Sequence, residues 1–262
     1  MNIITLLTDF GTKDGYVAQM KGVISGLTDA RLIDITHDIT PQHLREAAFI
    51  LRSTAPYFPP GTVHMAVVDP GVGTNRRGLV ITTRSQILIG PDNGMLLPTA
   101  HFLGEFTVYQ ISHTGNLPSM VSHTFHGRDV FAPVAASIVK GMPFAQIGPR
   151  ITDFVDLQFL NAEHQGEVIV GKILYVDRFG NLITNIPRQL LPQDVPPNAV
   201  ISLMYFDQQR SVRLVPSYGF VKKGELLATI GSSNYLEISV NQGSAAQTLL
   251  LKEDDEIRIR LG

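Results

Sequence analysis

Apolar and polar positions in the first 150 residues alternate between short apolar runs and helical spacings. Short runs rich in apolar residues that end at turn-forming residues predict strands at Ile3–Thr8, Arg31–Ile35 and Thr62–Val68. Two helices are predicted between them, one starting with Asp14 as its cap and one over Gln42–Phe58. Further strands are predicted at Leu79–Thr83, Ile87–Ile89 and Phe106–Ile111, and a helix from about Arg128 to Lys140. Alternating strands and helices indicate an α/β unit, a mostly parallel sheet flanked by helices.

The pattern changes after about Ile151, where turns separate short strands and no helical pattern of convincing length occurs. Such a pattern predicts a smaller C-terminal antiparallel β domain that resembles a barrel or a sandwich. We therefore expect an N-terminal α/β domain over residues 1–155 and a β domain over residues 166–262. The strands of this second domain are predicted at Gly171–Val176, Leu182–Asn185, Val200–Met204, Val212–Val215, Leu226–Ile230, Tyr235–Ser239 and Ile257–Leu261.

Composition excludes several classes of protein. The 262 residues are 44% hydrophobic and 17% charged, with a formal net charge of −2, so the chain has a core and lacks the positive excess of a nucleic-acid binder. No apolar run approaches the roughly 18 residues that a membrane span needs. The N-terminus has no basic flank and its apolar run stops at Asp9, so we expect no secretory signal and a cytoplasmic location. Without cysteine, disulfides and Cys-ligated zinc are excluded.

Two carboxylates follow predicted strands directly. Asp9 comes after Ile3–Thr8, and Asp69 comes after Thr62–Val68. Ligands of open α/β sheets bind beyond the carboxyl ends of the strands, where one carboxylate can accept hydrogen bonds from both hydroxyls of a sugar diol. The alternative is that either aspartate only forms a turn or caps a helix.

The loop after Asp69 reads Asp-Pro-Gly-Val-Gly-Thr-Asn-Arg-Arg and contains part of a dinucleotide-binding fingerprint. The match fails, because Arg76 stands in place of the third glycine and Leu79–Thr83 reads as a strand rather than a helix. We expect Arg76 or Arg77 to reach back to Asp69, and at least one of the two to remain an ordinary surface arginine.

His123 and His126 lie just before the helix predicted from Arg128. The His-x-x-His spacing leaves a metal-dependent hydrolase as an alternative, although the helical His-Glu-x-x-His pattern is absent. A helix N-terminus disfavours the cationic form of His126. From these residues alone, the chain is an α/β plus β protein with a polar crevice.

Seven segments, in this order and spacing, resemble one family across nearly the whole chain. That family is the S-adenosyl-L-methionine hydroxide adenosyltransferases, or S-adenosylmethionine hydrolases, which are related to fluorinase and chlorinase. The resemblance implies hydrolysis of S-adenosylmethionine to adenosine and methionine, with neither metal nor cofactor. It also implies a homotrimer whose sites lie between the first domain of one subunit and the second domain of its neighbour. The segments are Leu7-Thr-Asp-Phe-Gly, Gln19-Met-Lys-Gly, Val68-Asp-Pro-Gly-Val-Gly-Thr, Pro91-Asp-Asn-Gly, Thr124-Phe-His-Gly-Arg-Asp, Asp177-Arg-Phe-Gly-Asn and Ser232-Ser-Asn-Tyr-Leu-Glu-Ile.

The resemblance also implies roles for residues of the first domain. Asp9 matches the residue that holds the ribose hydroxyls in this family. Asp69, Arg76 and His126 match its water-activating side chains. Fluorinase has a tyrosine in place of Asp69 and a serine in place of Gly127. Because a carboxylate at that place repels a halide anion, water is the expected nucleophile and a halogenase is the least favoured reading.

In the second domain, the resemblance implies a set of substrate-binding residues. Phe179 and Asn181 match residues that contact the adenine, and Asp177 matches the one that takes the methionine ammonium group. Ser232 matches a contact to the methionine carboxylate, and Glu237 lies in the same segment. Besides a metal-dependent hydrolase, the residues leave open a module that binds a nucleoside or S-adenosylmethionine without turning it over.

Overall fold

A computed structural model describes residues 2–112, 120–157, 162–192, 196 and 199–261. The chain divides into two compact units, Met1–Gln158 and Phe159–Gly262. The link expected between residues 155 and 166 includes residues 158–161, which lie outside the described residues. None of the described helices has both the length and the apolar composition that a bilayer crossing requires.

The first unit consists of one sheet and its flanking helices. Its strands are β1 (Ile3–Thr8), β2 (Arg31–Thr36), β3 (Val63–Val67), β4 (Gly78–Thr83), β5 (Ile87–Pro91), β6 (Phe106–Gln110) and β7 (Arg150–Ile151). Its helices are α1 (Tyr16–Leu27), α2 (Leu44–Thr54), α3 (Leu97–Leu103), α4 (Ala132–Val139) and α5 (Phe144–Ile147). A 3-10 turn at Ala55–Tyr57 extends α2, and a π-helical turn at Gly127–Phe131 leads into α4.

The seven strands described in this unit lie in the order β2-β1-β3-β5-β4-β6-β7. Strands β2, β1, β3 and β5 are parallel neighbours, whereas β4 is antiparallel to both β5 and β6, and β7 is antiparallel to β6. Five of the seven therefore run in one direction, which confirms the predicted mostly parallel sheet. Because β4 runs the opposite way, it begins at the edge of the sheet where β1, β3 and β5 end.

Local conformation shifts two predicted helix starts. The cap of α1 is Gly15 and makes no side-chain hydrogen bond, so the prediction that Asp14 caps this helix is wrong. Gln42 has a φ of 65°, which a helix does not accommodate, so α2 begins later, at Leu44. His43 caps α2, because its Nδ1 accepts the amide of Glu46 at 3.3 Å.

The helix predicted from Arg128 begins one residue earlier, as the π-helical turn. Pro133 has no amide hydrogen, so the regular hydrogen-bond ladder cannot continue across it. Buried apolar side chains from the sheet and its helices form the core of the unit, among them Ile4, Leu6, Met20, Ile24, Met65, Ile89 and Phe131.

The second unit is the predicted β-barrel-like domain. Its strands are β8 (Glu163–Gln165), β9 (Val168–Val176), β10 (Leu182–Pro187), β11 (Val200–Tyr205), β12 (Gln208–Leu214), β13 (Leu226–Ile230), β14 (Tyr235–Val240) and β15 (Glu256–Leu261). Seven of them close a barrel in the order β10-β14-β13-β12-β11-β15-β9, because β9 also pairs with β10. The pairs are antiparallel except for β12 with β13, and β8 adds to β9. A short helix, α6 (Ala245–Leu249), was not predicted.

Candidate active site

The sheet topology of the first unit brings three predicted site segments to one edge. Thr8 at the end of β1 pairs with Val67 at the end of β3, so Asp9 and Asp69 leave neighbouring strands at the same edge. Arg76 lies two residues before β4, which begins at that edge. The structure thus places these three residues as the sequence argument requires.

Asp69 and Arg76 form a buried ion pair. Arg76 Nε donates to Asp69 Oδ1 at 2.9 Å and to Oδ2 at 3.1 Å, and Arg76 Nη2 also bonds to Oδ2. The two side chains are 12% and 6% exposed for Arg76 and Asp69 respectively. The guanidinium lies over the ring of Phe131, 5.3 Å from its centroid. Arg76 therefore holds the carboxylate in one orientation and balances its charge away from bulk water.

His126 joins this pair through the same guanidinium. Arg76 Nη2 donates to His126 Nδ1 at 2.7 Å, and because arginine is only a donor, Nδ1 must carry a lone pair. Burial lowers the pKa of His126 below 6.5, and the charge of Arg76 lowers it further. The expectation of a disfavoured cation is confirmed, although burial and Arg76 are the causes. The neutral ring then carries its proton on Nε2.

Arg77 does not take part in this group. Its Nε donates to Asp92 Oδ2 at 2.8 Å, and its Nη1 donates to Asp153 Oδ1 at 3.0 Å. Of the two arginines proposed to reach back to Asp69, the structure selects Arg76.

Asp9 has the structural role that the sequence left open as an alternative. Its Oδ2 accepts the backbone amide of Gln42 at 2.8 Å, which ties the end of β1 to the start of α2. Among the described residues, no hydrogen bond reaches Oδ1, so this oxygen remains available to a ligand. Asp9 is thus a turn-stabilising residue that keeps one free acceptor at the site edge.

An aromatic group lies beside His126 and was not predicted. Phe10, Tyr16 and Phe125 pack with ring centroids 5.9, 5.7 and 5.2 Å apart. A Cβ on Gly127 would lie 3.5 Å from Phe10 Cε2. The three rings come from separate segments with no common period, so only the fold reveals the apolar wall that they form.

Gly73, in the loop after Asp69, allows a close approach to protein backbone rather than to a ligand. Gly73 has a φ of 77°, and a Cβ there would lie 2.3 Å from the carbonyl oxygen of His123. The loop is thereby packed against the segment that carries His126. Within the described residues, no group of three or more His, Asp or Glu side chains is arranged to hold a metal.

In the second unit, Asp177 organises the turn between β9 and β10. Its Oδ1 accepts the amides of Phe179 at 2.9 Å and Asn181 at 2.8 Å, and its Oδ2 accepts Asn181 Nδ2 at 2.8 Å. Asn181 is buried, whereas Phe179 is 76% exposed. The turn therefore presents an aromatic ring to solvent on a rigid polar base.

Glu237 lies on β14 and pairs with Ile183 of β10, two residues after the end of this turn at Asn181. Glu237 Oε1 accepts the hydroxyls of Tyr218 at 2.8 Å and Ser239 at 2.7 Å. Burial raises the pKa of Tyr218, and its bond to Glu237 and the charge of Asp177 raise it further. Asp177 and Glu237 thus both raise the pKa of the Tyr218 hydroxyl. The sequence did not identify Tyr218, because a single tyrosine outside a motif gives no indication of its partners.

Ser232 lies in the turn that connects β13 to β14. The amide of Asn234 donates to the carbonyl of Gly231 at 2.9 Å, and Asn234 adopts a φ of 65°. A Cβ on Gly231 would lie 2.6 Å from Glu237 Oε2, so the turn rests directly on that carboxylate. Ser232 itself is exposed.

Two family models and several relatives match almost the whole chain. Residues 4–148 match the SAM hydroxide adenosyltransferase N-terminal domain, and residues 171–258 match the C-terminal domain of the same family. The (R)-S-adenosyl-L-methionine hydrolase of Salinispora tropica is 38% identical, covering 99% of this chain and 98% of the relative. A fluorinase of Actinopolyspora mzabensis is 26% identical over 98% of this chain and 96% of its own.

A solved structure shows the same fold. An uncharacterized conserved protein of Thermotoga maritima superposes with a TM-score of 0.94 at 38% identity, covering 98% of this chain and 99% of that protein. Both domain matches and the full-length relatives lead to one conclusion: the chain belongs to the SAM hydroxide adenosyltransferase family.

Proposed function

We propose that this protein hydrolyses S-adenosyl-L-methionine to adenosine and L-methionine, by in-line attack of water on the ribose C5′. The observation that carries the proposal is the partly buried group of Asp69, Arg76 and His126. The chain's full-length relatives at 36–38% identity are named (R)-S-adenosyl-L-methionine hydrolases. The fluorinase relatives are more distant, at 26–27% identity.

The chemistry requires little besides a well-placed nucleophile. The water oxygen forms a bond to C5′ while the C5′–S bond breaks, and the electron pair of that bond stays on sulfur. The sulfonium leaves as the neutral thioether of methionine, so no general acid and no covalent intermediate are needed. One proton from the water must be accepted, and electrostatic interactions with the accepting group are stronger at a partly buried ion pair than in bulk water.

Hydrogen bonding favours Asp69 as that acceptor. In neutral His126, Nδ1 faces Arg76 and Nε2 carries hydrogen, so the ring can donate to the water but cannot take its proton. Asp69 Oδ1 accepts one bond from Arg76 whereas Oδ2 accepts two, so Oδ1 keeps acceptor capacity for the water proton. Arg76 then orients Asp69, and His126 orients the water.

The remaining substrate contacts are proposed from the family resemblance. Asp9 holds the ribose hydroxyls, for which its Oδ1 is available. Phe179 and Asn181 contact the adenine, and Asp177 takes the ammonium group of methionine. Ser232 contacts the carboxylate, and Glu237 supports the turn on which Ser232 lies, through its contact with Gly231.

We further propose that the protein is a cytoplasmic homotrimer. In this arrangement the first domain of one subunit and the second domain of its neighbour enclose each substrate, which excludes bulk water. Neither a metal, a cofactor, a nucleic acid nor a membrane takes part.

Product analysis in oxygen-18 water tests the function. We expect adenosine with the label on its 5′-hydroxyl, together with unlabelled methionine. Label in homoserine with methylthioadenosine as co-product would place the attack on another carbon, and bound but unconverted substrate would indicate a binding module. Loss of turnover on chelation, with rescue by one metal, would favour a metal-dependent hydrolase. A halogenated nucleoside formed with added chloride or fluoride would indicate a halogenase.

A further inference from the structure

The segment Pro91-Asp-Asn-Gly has no role in the mechanism above, yet it lies beside the catalytic group. It follows β5, which lies between β3 and β4 in the sheet. Strand β3 leads into Asp69, and β4 begins just after Arg76 and Arg77. The segment is therefore inserted between the two stretches of backbone that carry the ion pair.

Asn93 holds the peptide that precedes Asp69. Its Nδ2 donates to the carbonyl oxygen of Val68 at 2.8 Å, and that carbonyl belongs to the peptide joining Val68 to Asp69. Its Oδ1 accepts the amide of Met95 at 3.3 Å, so both ends of the side-chain amide are engaged. A rotation of that peptide, which would redirect the Asp69 side chain, costs the bond to Asn93.

Asp92 holds the backbone that anchors Arg76. Its amide donates to the carbonyl of Arg77 at 2.9 Å, and Arg76 Nη1 donates to the same carbonyl at 3.3 Å. Its carboxylate is 4% exposed and accepts Arg77 Nε at 2.8 Å and the amide of Val155 at 2.9 Å. The carbonyl of Arg77 therefore links the backbone amide of Asp92 to the catalytic guanidinium, and the buried carboxylate of Asp92 fixes the Arg77 side chain.

The segment has little freedom to move. Gly94 has a φ of 92°, and a Cβ there would lie 2.7 Å from both the backbone nitrogen and the Cβ of Leu157. Tight packing of this kind fixes Asp92 and Asn93 as a rigid support.

We propose that Asp92 and Asn93 are positioning residues for hydrolysis, which set the orientation of Asp69 and Arg76 without touching the substrate. The inference rests on the proposed function. A displacement of a catalytic group by about 1 Å can lower a rate by about 100-fold, so loss of either support lowers kcat more than it changes KM.

Gln86 provides a matched control. It directly precedes β5, at the other end of the strand from Asn93. Its Nε2 donates to the carbonyls of Ala55 and Phe58, both at 2.8 Å, and it is buried. Gln86→Ala and Asn93→Ala therefore each remove a side-chain amide that holds backbone carbonyls, at opposite edges of the same sheet.

The test measures adenosine formation and thermal unfolding for the wild type and these variants. We expect Asn93→Ala and Asp92→Asn to lower kcat by about 10- to 100-fold with KM changed by less than about threefold. Gln86→Ala should keep kcat within about twofold of the wild type, even if its unfolding temperature falls as much as that of Asn93→Ala. In Asp92→Asn the pKa of His126, followed by NMR, should also rise, because a displaced Arg76 lowers it less.

The outcomes separate this inference from the proposed function. A wild type that forms no adenosine overturns the function itself. An active wild type with normal kcat in Asn93→Ala, or with an equal kcat loss in Gln86→Ala, overturns the inference alone. If Asn93→Ala does not fold, Asn93→Asp replaces it, because it keeps the size and the acceptor for Met95 but sets an oxygen against the Val68 carbonyl. A normal kcat in Asn93→Asp equally contradicts the positioning role.

Discussion

Asp69 has a side chain with two tasks, since it accepts the bonds of Arg76 and is proposed to accept the proton of the attacking water. Asp69→Asn keeps the shape but halves the acceptor capacity and removes the charge that pairs with Arg76. We expect kcat to fall by about 100-fold or more with little change in KM, because general base catalysis contributes about 100- to 10,000-fold. Steady-state kinetics of adenosine release measure both constants.

Asp29→Asn is the control for that substitution. Asp29 is exposed and lies just before β2, at the edge of the sheet opposite the site. It should turn over substrate at the wild-type rate. Wild-type kcat in Asp69→Asn would show that another group accepts the proton.

The pKa of His126 depends on the Arg76 guanidinium beside it. Because burial and then Arg76 lower its pKa below 6.5, the ring should stay neutral into mildly acidic solution. Arg76→Ala removes a positive charge and a donor to Nδ1, so the His126 pKa should rise. Ring resonances followed by NMR from about pH 5 to 8 measure the shift, with the other histidines as internal controls. An unchanged His126 midpoint would mean that Arg76 does not act on the ring.

Strands and helices with a clear hydrophobic pattern were predictable from the sequence. Element ends that depend on the backbone conformation of single residues were not. Strands β1 and β13 have the predicted bounds, because each is a continuous apolar run with turn residues beyond it. The start of α2 could not be placed, since it depends on the positive φ of Gln42. The two-residue strand β7 and the helices α3 and α6, each of two turns or fewer, are too short for their period to be recognised.

The turn Asp177–Asn181 offers a test of how far one loop controls substrate binding. Gly180 has a φ of 80°, and a Cβ there would lie 2.1 Å from Ser244 Oγ. Gly180→Ala should therefore displace the turn and raise KM for S-adenosylmethionine by about tenfold, with a smaller effect on kcat. Product formation at varied substrate concentration measures both constants.

Gly166→Ala separates that displacement from backbone strain alone. Gly166 has a φ of 65°, but a Cβ there would meet nothing within 4 Å. Both substitutions carry the cost of a left-handed residue, of about 1 kcal/mol, and only Gly180→Ala adds a steric clash. An equal rise of KM in both variants would contradict a role for the Asp177–Asn181 turn.

His64 on β3 makes the stability of the first unit depend on pH. Its Nδ1 bonds to the hydroxyl of Thr5 at 2.8 Å and its Nε2 to Gln86 Oε1 at 3.2 Å, and burial lowers its pKa from 6.5 to about 4. Between these two pH values, His64 is therefore protonated in the unfolded chain but not in the folded chain. The contribution of neutral His64 to the free energy of unfolding should be fully present above pH 6.5. It should fall by about 3 kcal/mol as the pH decreases to about 4.

Urea unfolding of the wild type and His64→Asn over this pH range tests the expectation. The substitution removes the titrating group, so it should flatten the pH dependence even if it lowers stability at neutral pH. His101→Asn, which changes an exposed histidine paired with Asp156, should leave the slope as it is. A slope that persists in His64→Asn would assign it to other groups.

The candidate site could be predicted only in parts, because its residues come from loops that the fold brings together. Asp9 and Asp69 were identifiable from their position after strands, and Arg76 from its place in the same loop. Its selection over Arg77 needed coordinates, since both side chains have the same reach. The segment that contains Asn93 was identifiable, but the contacts of Asn93 and Tyr218 were not, because each depends on a hydrogen bond to a residue in another element.

The proposed assembly predicts that two inactive variants restore each other. If each site combines Asp69 of one subunit with Asp177 of its neighbour, co-refolded Asp69→Asn and Asp177→Asn chains form some sites with both residues intact. Random assembly of equal amounts gives about a quarter of the sites in that state, and so about a quarter of wild-type turnover. Each variant refolded alone should show only its own residual rate, and a mixture without prior unfolding serves as the control. If one chain supplied a whole site, every site in the mixture would lack one aspartate, and co-refolding would recover nothing.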